Sequence, residues 1–114
     1  MSDPITMNAL TSALDGLASR QRAIANNIAN VNTPGYRAQR VQFEDALKQS
    51  IEQGDGRVAA TTGLSLEPTQ LNGNNVNLDT ETLSNIDTVL RYQFASQAVN
   101  AKFGLMKSAL GGAQ

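Results

Sequence analysis

The sequence predicts a mainly α-helical protein, in which long N- and C-terminal helices pair as a coiled coil on either side of an irregular, loop-rich middle. Apolar residues near both ends recur at alternating intervals of three and four, which is the heptad spacing of helices that pack along a narrow seam. At 114 residues the chain suits one domain. Its predicted segments are an N-terminal helix (1–32), a turn motif and short helix (33–53), a flexible loop (54–77) and a C-terminal helix (78–112).

The N-terminal helix is predicted from about Pro4 to Asn30. Asp3 suits the N-cap because its carboxylate can accept hydrogen bonds from the first turn, and Pro4 has no N–H to leave unpaired there. The helix is expected to end before Pro34, which disfavours helical backbone at Thr33. Its seam consists of Met7, Leu10, Leu14, Leu17, Gln21, Ile24, Ile28 and Val31.

The middle of the chain changes in composition. A short helix is predicted between Arg37 and Gln53, whereas residues 54–77 are rich in Gly, Asn and Gln and lack an apolar period. Brief strands near Val58 and at 64–66 remain compatible with this composition. The segment is expected to become ordered only against neighbouring molecules.

The C-terminal helix repeats the pattern of the first. Asp79 or Thr80 is the predicted N-cap, Glu81 favours the positive end of the helix dipole, and Gly111 and Gly112 end the helix. Its seam consists of Val89, Tyr92, Ser96, Val99, Phe103, Met106 and Leu110, and a second apolar row near its start contains Leu83, Ile86 and Leu90.

Composition argues against an enzyme. The chain has no His and no Cys, which excludes zinc sites built on those ligands, cysteine nucleophiles and histidine-based triads. The pairs Glu44–Asp45 and Asp79–Glu81 are expected to be a solvated helix face and a helix cap, and no phosphate-binding glycine motif is present. No catalytic residue, cofactor, metal or small-molecule substrate is therefore expected.

Charge argues against a nucleic-acid partner. The net charge is −1, and the modest cluster of Arg20, Arg22, Arg37 and Arg40 has only Tyr36 as an aromatic neighbour.

The first residues also lack the basic segment and continuous apolar stretch of a cleaved secretory signal.

Asparagines concentrate where the first helix is expected to end. A fraying helix end explains some of them, but Asn26 and Asn27 fall inside the helix, where Asn is unfavourable. Amides packed between helices fix register and partner number, so this face is a candidate assembly interface. The candidate interface residues are Leu10, Leu14, Leu17, Ile24, Asn26, Asn27, Ile28, Asn30, Val89, Tyr92, Val99, Phe103, Met106 and Leu110, and the turn motif is Asn32, Thr33, Pro34, Gly35 and Tyr36.

The segment from Ala25 to Tyr36, which reads ANNIANVNTPGY, resembles the N-terminal signature of the axial proteins of the bacterial flagellar rod and hook. The C-terminal segments NNVNLDTE (74–81), LRYQ (90–93) and KFGLMKSAL (102–110) resemble the basal-body rod proteins of the proximal-rod FlgB type. The resemblance covers most of the chain outside the region from about residue 54 to residue 70.

The resemblance implies a non-enzymatic structural subunit of the basal-body rod in the periplasm, exported by the flagellar type III apparatus without a cleaved signal peptide. Such subunits assemble helically with copies of themselves and other rod proteins, transmit torque and line the export channel. Other implied partners are the membrane-ring protein and its rod adaptor. The alternatives are another rod subunit, of the FlgC type, a two-helix secretion adaptor or chaperone, and a small hydrolase that uses Asp or Glu.

Overall fold

Two long antiparallel helices form the frame of the molecule. The computed structural model describes residues 3–111, in which α1 (Asp3–Ala29) packs along α3 (Leu78–Gly111). Their direction follows from contacts at both ends, since Asn27 hydrogen-bonds Glu81 while Leu10 lies near Ala98. The molecule is elongated, measuring 64 × 30 × 15 Å. The predicted pairing of two long helices around a less regular middle is thus confirmed.

The start of α1 and the end of α3 coincide with the first and last residues that the structure describes. The side chain of Asp3, the predicted N-cap of α1, lies outside them, as does Gly112. The start of α3 is described, and its cap is Asn77. The Oδ1 atom of Asn77 accepts hydrogen bonds from the N–H groups of Asp79 at 3.0 Å and Thr80 at 3.3 Å. The predicted N-cap, Asp79 or Thr80, is therefore wrong. The cap is Asn77, two to three residues earlier, because its side chain accepts hydrogen bonds from N–H groups of the first helical turn.

The turn after α1 has type II geometry. The N–H of Tyr36 donates to the carbonyl of Thr33 at 3.2 Å, and Gly35 has a φ of 76°. A positive φ at this position is what a type II turn requires after Pro34. The chain leaves α1 through this turn and runs back beside it.

A two-stranded antiparallel sheet follows. Strand β1 (Gln39–Gln42) pairs with β2 (Thr61–Leu64), with Gln39 opposite Leu64 and Gln42 opposite Thr61. Strand β1 was not predicted from the sequence, and β2 ends at Leu64, where the second of the two possible brief strands (64–66) would begin. Between the strands, α2 (Glu44–Glu52) occupies the place of the predicted short helix.

Hydrogen bonds to α1 hold the segment after α2. The Ser12 hydroxyl donates to the carbonyl of Gly56 at 3.1 Å and accepts from the N–H of Val58 at 3.1 Å. Gly56 has a φ of 84°, and a Cβ atom there would lie 2.6 Å from the carbonyl oxygen of Ile5. Only glycine fits this approach without displacing α1.

The buried core is small and lies where α2 and the sheet meet α1. Leu17, Ala23, Val41 and Phe43 form it, each at most 5 % exposed. Since so few side chains are buried, much of the apolar surface of the long helices remains outside the core.

Candidate assembly interface

The predicted interface residues fall into three groups in the structure. Leu17, Ile24 and Asn27 are buried within the subunit, at 3 %, 4 % and 0 % exposure. Another set is partly buried between α1, α3 and the turn, namely Leu10, Leu14, Asn30, Val89, Tyr92 and Val99. The remaining residues are exposed, namely Asn26, Ile28, Phe103, Met106 and Leu110. Most of these seam residues are therefore covered within the chain, and only the exposed ones are available to a neighbouring subunit.

Asn27 is at the centre of a buried polar contact between α1, β1 and α3. Its Nδ2 atom donates to Glu81 Oε1 at 2.8 Å and to the carbonyl of Gln39 at 3.1 Å. Its Oδ1 atom accepts from the N–H of Gln39 at 2.8 Å and from the Tyr36 hydroxyl at 3.2 Å. The amide fixes helix register as expected of a buried Asn, but it does so within one chain. We therefore do not assign Asn27 to the surface between subunits.

Glu81 joins the same cluster from α3. Its side chain is fully buried, and its Oε2 atom accepts a hydrogen bond from Arg40 Nη1 at 2.9 Å. Arg40 also contacts Glu67 at 3.1 Å, so one guanidinium links β1 to α3 and to the segment after β2. The expectation that the Asp79–Glu81 pair is simply a helix cap is wrong for Glu81, because Arg40 lies far away in sequence and gave no local signal.

A second asparagine cluster holds the turn motif against the start of α3. Asn74 is fully buried, and its Nδ2 atom donates to the carbonyls of Asn30 at 2.9 Å and Thr33 at 2.8 Å. Each of these carbonyls also accepts a backbone N–H, Asn30 from Thr33 at 3.0 Å and Thr33 from Tyr36 at 3.2 Å, so Asn74 adds a second hydrogen bond to each. The side chain of Asn75 accepts from the N–H of Ala38 at 2.7 Å. The two Asn-rich segments of the sequence therefore bind each other.

The Arg20–Glu44 pair ties α2 to α1. The guanidinium donates to both carboxylate oxygens, at 2.6 and 2.8 Å, and lies 5.0 Å from the centre of the Phe43 ring. This hydrogen bonding holds the pKa of Glu44 at about 2, below its ordinary value of 4.5. It also raises the pKa of Arg20. Both shifts reflect mutual stabilisation of the charged forms.

The outer face of α3 carries a stripe of exposed apolar side chains, which we call the α3 stripe. It consists of Leu83, Ile86, Leu90, Phe94 and Leu105, which are 69, 53, 61, 77 and 68 % exposed. The first three belong to the second apolar row of the sequence, whereas Phe94 and Leu105 were not singled out there. Their spacing places them on one side of the helix. Several exposed apolar side chains on one side of a helix mark a surface that other protein covers.

Beside this stripe lies an open groove, which we call the apolar groove. It has a volume of about 500 Å³ and walls from all three helices. Its lining is almost entirely apolar and includes Leu10, Ala13, Leu17, Phe43, Leu47, Leu90, Phe94, Ala95 and Ala98, with Glu44 and Arg91 at the rim. The groove could not be predicted from the sequence, because its walls come from three separate segments and no local pattern shows that these segments meet.

Within 3–111, every buried side-chain nitrogen or oxygen has a hydrogen-bond partner. No group of three or more acidic side chains in that range is close enough to hold a metal ion. None of the helices described combines the length and apolar character needed to cross a bilayer.

Comparisons with known proteins identify related chains. The model of the flagella basal body rod protein family matches residues 7–37, which cover most of α1 and the turn motif. The flagellar basal body rod protein FlgB of Bacillus subtilis is 30 % identical over 121 residues, covering 94 % of both chains. FlgB of Salmonella typhimurium is 32 % identical over 123 residues, covering 88 % of this chain and 89 % of its own.

A longer relative shares only part of the chain. The flagellar basal-body rod protein FlgG of Caulobacter vibrioides is 42 % identical over 64 residues, which is 48 % of this chain and 24 % of FlgG. Near-complete coverage of the FlgB proteins in both directions favours their family over the FlgC type and the secretion adaptor. The chain belongs to the FlgB family of flagellar basal body rod proteins and is a structural subunit of the rod.

Proposed function

We propose that this chain is a non-catalytic subunit of the proximal rod, which assembles helically with copies of itself and with other rod proteins. In this function it transmits torque across the periplasm and lines the channel through which more distal subunits are exported. Its further partners are the membrane-ring protein, its rod adaptor and the type III export apparatus, which also carries the subunit out without cleaving a signal peptide. Family membership supports this assignment of partners and location.

The α3 stripe is the observation that carries the proposal. Leu83 and Phe94 are 69 % and 77 % exposed on a helix that is otherwise well packed along α1. Leaving such side chains in water forgoes about 1.5–3 kcal/mol each relative to full burial. A subunit with this surface gains stability from neighbours on its outer side.

The shape of the subunit suits a mechanical part. Its two long helices run along the 64 Å axis of the molecule, and the Asn27–Glu81–Arg40 cluster locks them together at one end. Helices bend little along their axes, so contacts repeated between such subunits can carry torsional load in parallel.

The test is whether the α3 stripe is required for rod assembly. In cells whose only copy of the protein is Leu83→Glu, we expect no rods and no swimming, because a charge at a dry interface leaves an unpaired buried ion. Thr82→Glu is the matched control, since residue 82 is the exposed polar neighbour of Leu83 on the same helix. It should swim normally.

Two further measurements separate assembly from export. The Leu83→Glu protein should still be found outside the cytoplasm, because the substitution alters neither the buried core nor α1. Normal rods containing Leu83→Glu would contradict the proposal. An intact mass of rod-derived protein shorter than the full sequence would contradict export without cleavage.

A further inference from the structure

One asparagine in the sequence is followed directly by a glycine, at Asn72–Gly73. The pair lies in the segment between β2 and α3, and Asn72 is exposed to solvent. An asparagine that precedes glycine is open to attack by the next backbone nitrogen, because glycine has no Cβ atom to obstruct the approach.

We propose that Asn72 is a site of spontaneous deamidation in the folded subunit, and that its isoaspartate product loosens the contact between the turn motif and the start of α3. The Gly73 nitrogen attacks Cγ of Asn72, and the new N–Cγ bond closes a succinimide ring. The side-chain amide leaves as ammonia and takes the Gly73 proton with it. Water then opens the ring at either carbonyl, which yields aspartate or isoaspartate. The reaction needs only water and goes beyond the proposed rod function.

The fold assists the attack on the side chain. The Oδ1 atom of Asn72 accepts a hydrogen bond from the N–H of Asn74 at 3.0 Å. This bond curls the side chain forward over the Gly73 backbone. Negative charge develops on Oδ1 when the Gly73 nitrogen adds to Cγ, and a donor already aimed at that oxygen stabilises the intermediate. Asn74 is fully buried, so this donor is held in place.

One hydrogen bond must open before the Gly73 nitrogen can react. Its N–H donates to the carbonyl of Gln70 at 2.9 Å and closes the turn 70–73. Leu71 and Asn72 within this turn are both exposed. Water can replace the Gln70 carbonyl at little cost, because an exposed hydrogen bond exchanges for one to solvent. The turn therefore slows the reaction without preventing it.

The product alters the place where the turn motif contacts this segment. The carbonyl of Asn72 accepts a hydrogen bond from the N–H of Gly35 at 2.8 Å, and a Cβ atom on Gly73 would lie 3.2 Å from Gly35 Cα. In isoaspartate the chain continues through Cγ, so the backbone is longer by one carbon atom and the former carbonyl becomes a carboxylate. Two backbones in such close contact leave little room for the extra atom. The change therefore shifts Asn74, which holds the carbonyls after α1.

Peptide mapping by mass spectrometry tests the proposal on the purified, folded chain. The protein is incubated at physiological temperature in mildly alkaline buffer and digested with trypsin, which releases residues 58–91 as one peptide. Synthetic standards with aspartate or isoaspartate at position 72 identify the products, and an unincubated sample gives the deamidation caused by digestion. We expect conversion at Asn72, with isoaspartate as the larger product.

Asn100 is the control within the same sample, because it is exposed and is followed by Ala101 in α3. Its deamidation should be at least about tenfold slower, since the Cβ atom of the next residue obstructs ring closure. Asn72→Ser is the control variant, because its hydroxyl can accept the hydrogen bond from the N–H of Asn74 and it has no amide to lose. After equal incubation, the native chain should melt a few degrees below its fresh value, whereas Asn72→Ser should melt unchanged.

An Asn72 that stays intact in the folded chain while it deamidates in urea would overturn the proposal, because the fold would then protect it. Equal rates at Asn72 and Asn100 would also overturn it. A converted chain that melts together with the fresh protein would overturn the loosening of the contact with the turn motif.

Discussion

Gly16 shows how one residue sets the distance between two elements. A Cβ atom at this position would lie 2.5 Å from the Phe43 ring, so the core can form only because α1 has no side chain there. The ring in turn carries the Arg20 guanidinium on its face and belongs to the buried core cluster. The entry of the chain into α2 therefore depends on a glycine in α1.

Gly16→Ala is expected to destabilise the subunit. Overpacking of this kind costs about 1–3 kcal/mol, because the ring is surrounded by buried neighbours and cannot move freely. Thermal unfolding followed by circular dichroism would measure it. Gly104→Ala is the control, since nothing lies within 4 Å of a Cβ there and alanine favours the helix. A lower melting temperature for Gly104→Ala than for Gly16→Ala would contradict the packing argument.

The Arg20–Glu44 pair gives the subunit an acid-sensitive contribution to stability. The pKa of Glu44 lies at about 2 in the folded chain, below its ordinary 4.5. A depressed pKa stabilises the fold above pH 4.5, and this contribution is lost as pH falls from 4.5 towards 2. The contribution is small because the Glu44 side chain is 44 % exposed.

Glu44→Gln should therefore lower the melting temperature slightly at neutral pH and have a smaller effect near pH 2. Melting curves of both proteins across this range, at low salt, would show the difference shrinking. A difference that stays constant down to pH 2 would mean that the ion pair contributes nothing.

At the scale of the elements, two clusters of polar side chains decide how the helices meet. Asn27 and Glu81 connect α1 to α3, and Asn74 binds the carbonyls that follow the end of α1. All three side chains are fully buried. Buried polar groups with every partner in place specify one arrangement, because any shift leaves several of them unpaired.

Asn27→Ala should cost about 2–3 kcal/mol, because it leaves buried partners such as Glu81 and the Gln39 backbone without a hydrogen bond. Asn26→Ala is a neighbouring control of the same chemistry at an exposed position, and its effect should stay within about 0.5 kcal/mol. Urea denaturation of both variants provides the comparison. Equal losses would show that the cluster around Asn27 does not hold the helices together.

At the scale of the whole molecule, the two rows of apolar residues on the long helices differ in function, because one is buried within the subunit and the other is exposed. Leu17 is 3 % exposed and belongs to the core of the single chain, whereas Leu83 is 69 % exposed on the α3 stripe. A charge at position 17 should unfold the subunit, whereas a charge at position 83 should leave the subunit folded and prevent its assembly.

Leu17→Asp is expected to lose several kcal/mol of stability, because an isolated charge would enter the core. Leu83→Asp should melt within a few degrees of the native protein, because its side chain stays in water in the isolated subunit. Circular dichroism of dilute protein separates the two. If both variants melt at the temperature of the native subunit, Leu17 contributes to contacts between copies and not to the stability of a single copy.

The sequence alone determined the two helices, the turn and the family. Heptad spacing is a local property, so it predicts α1 and α3 within a few residues, and the signature from Ala25 to Tyr36 is contiguous. Only the tertiary structure decided which side of each helix is covered within the chain. It placed Asn27 inside the subunit, paired Glu81 with Arg40, and built a groove from three helices. Helical periodicity predicts which side of a helix is buried. It does not predict whether that side is covered by the same chain or by another molecule, because the covering contacts join residues far apart in the chain.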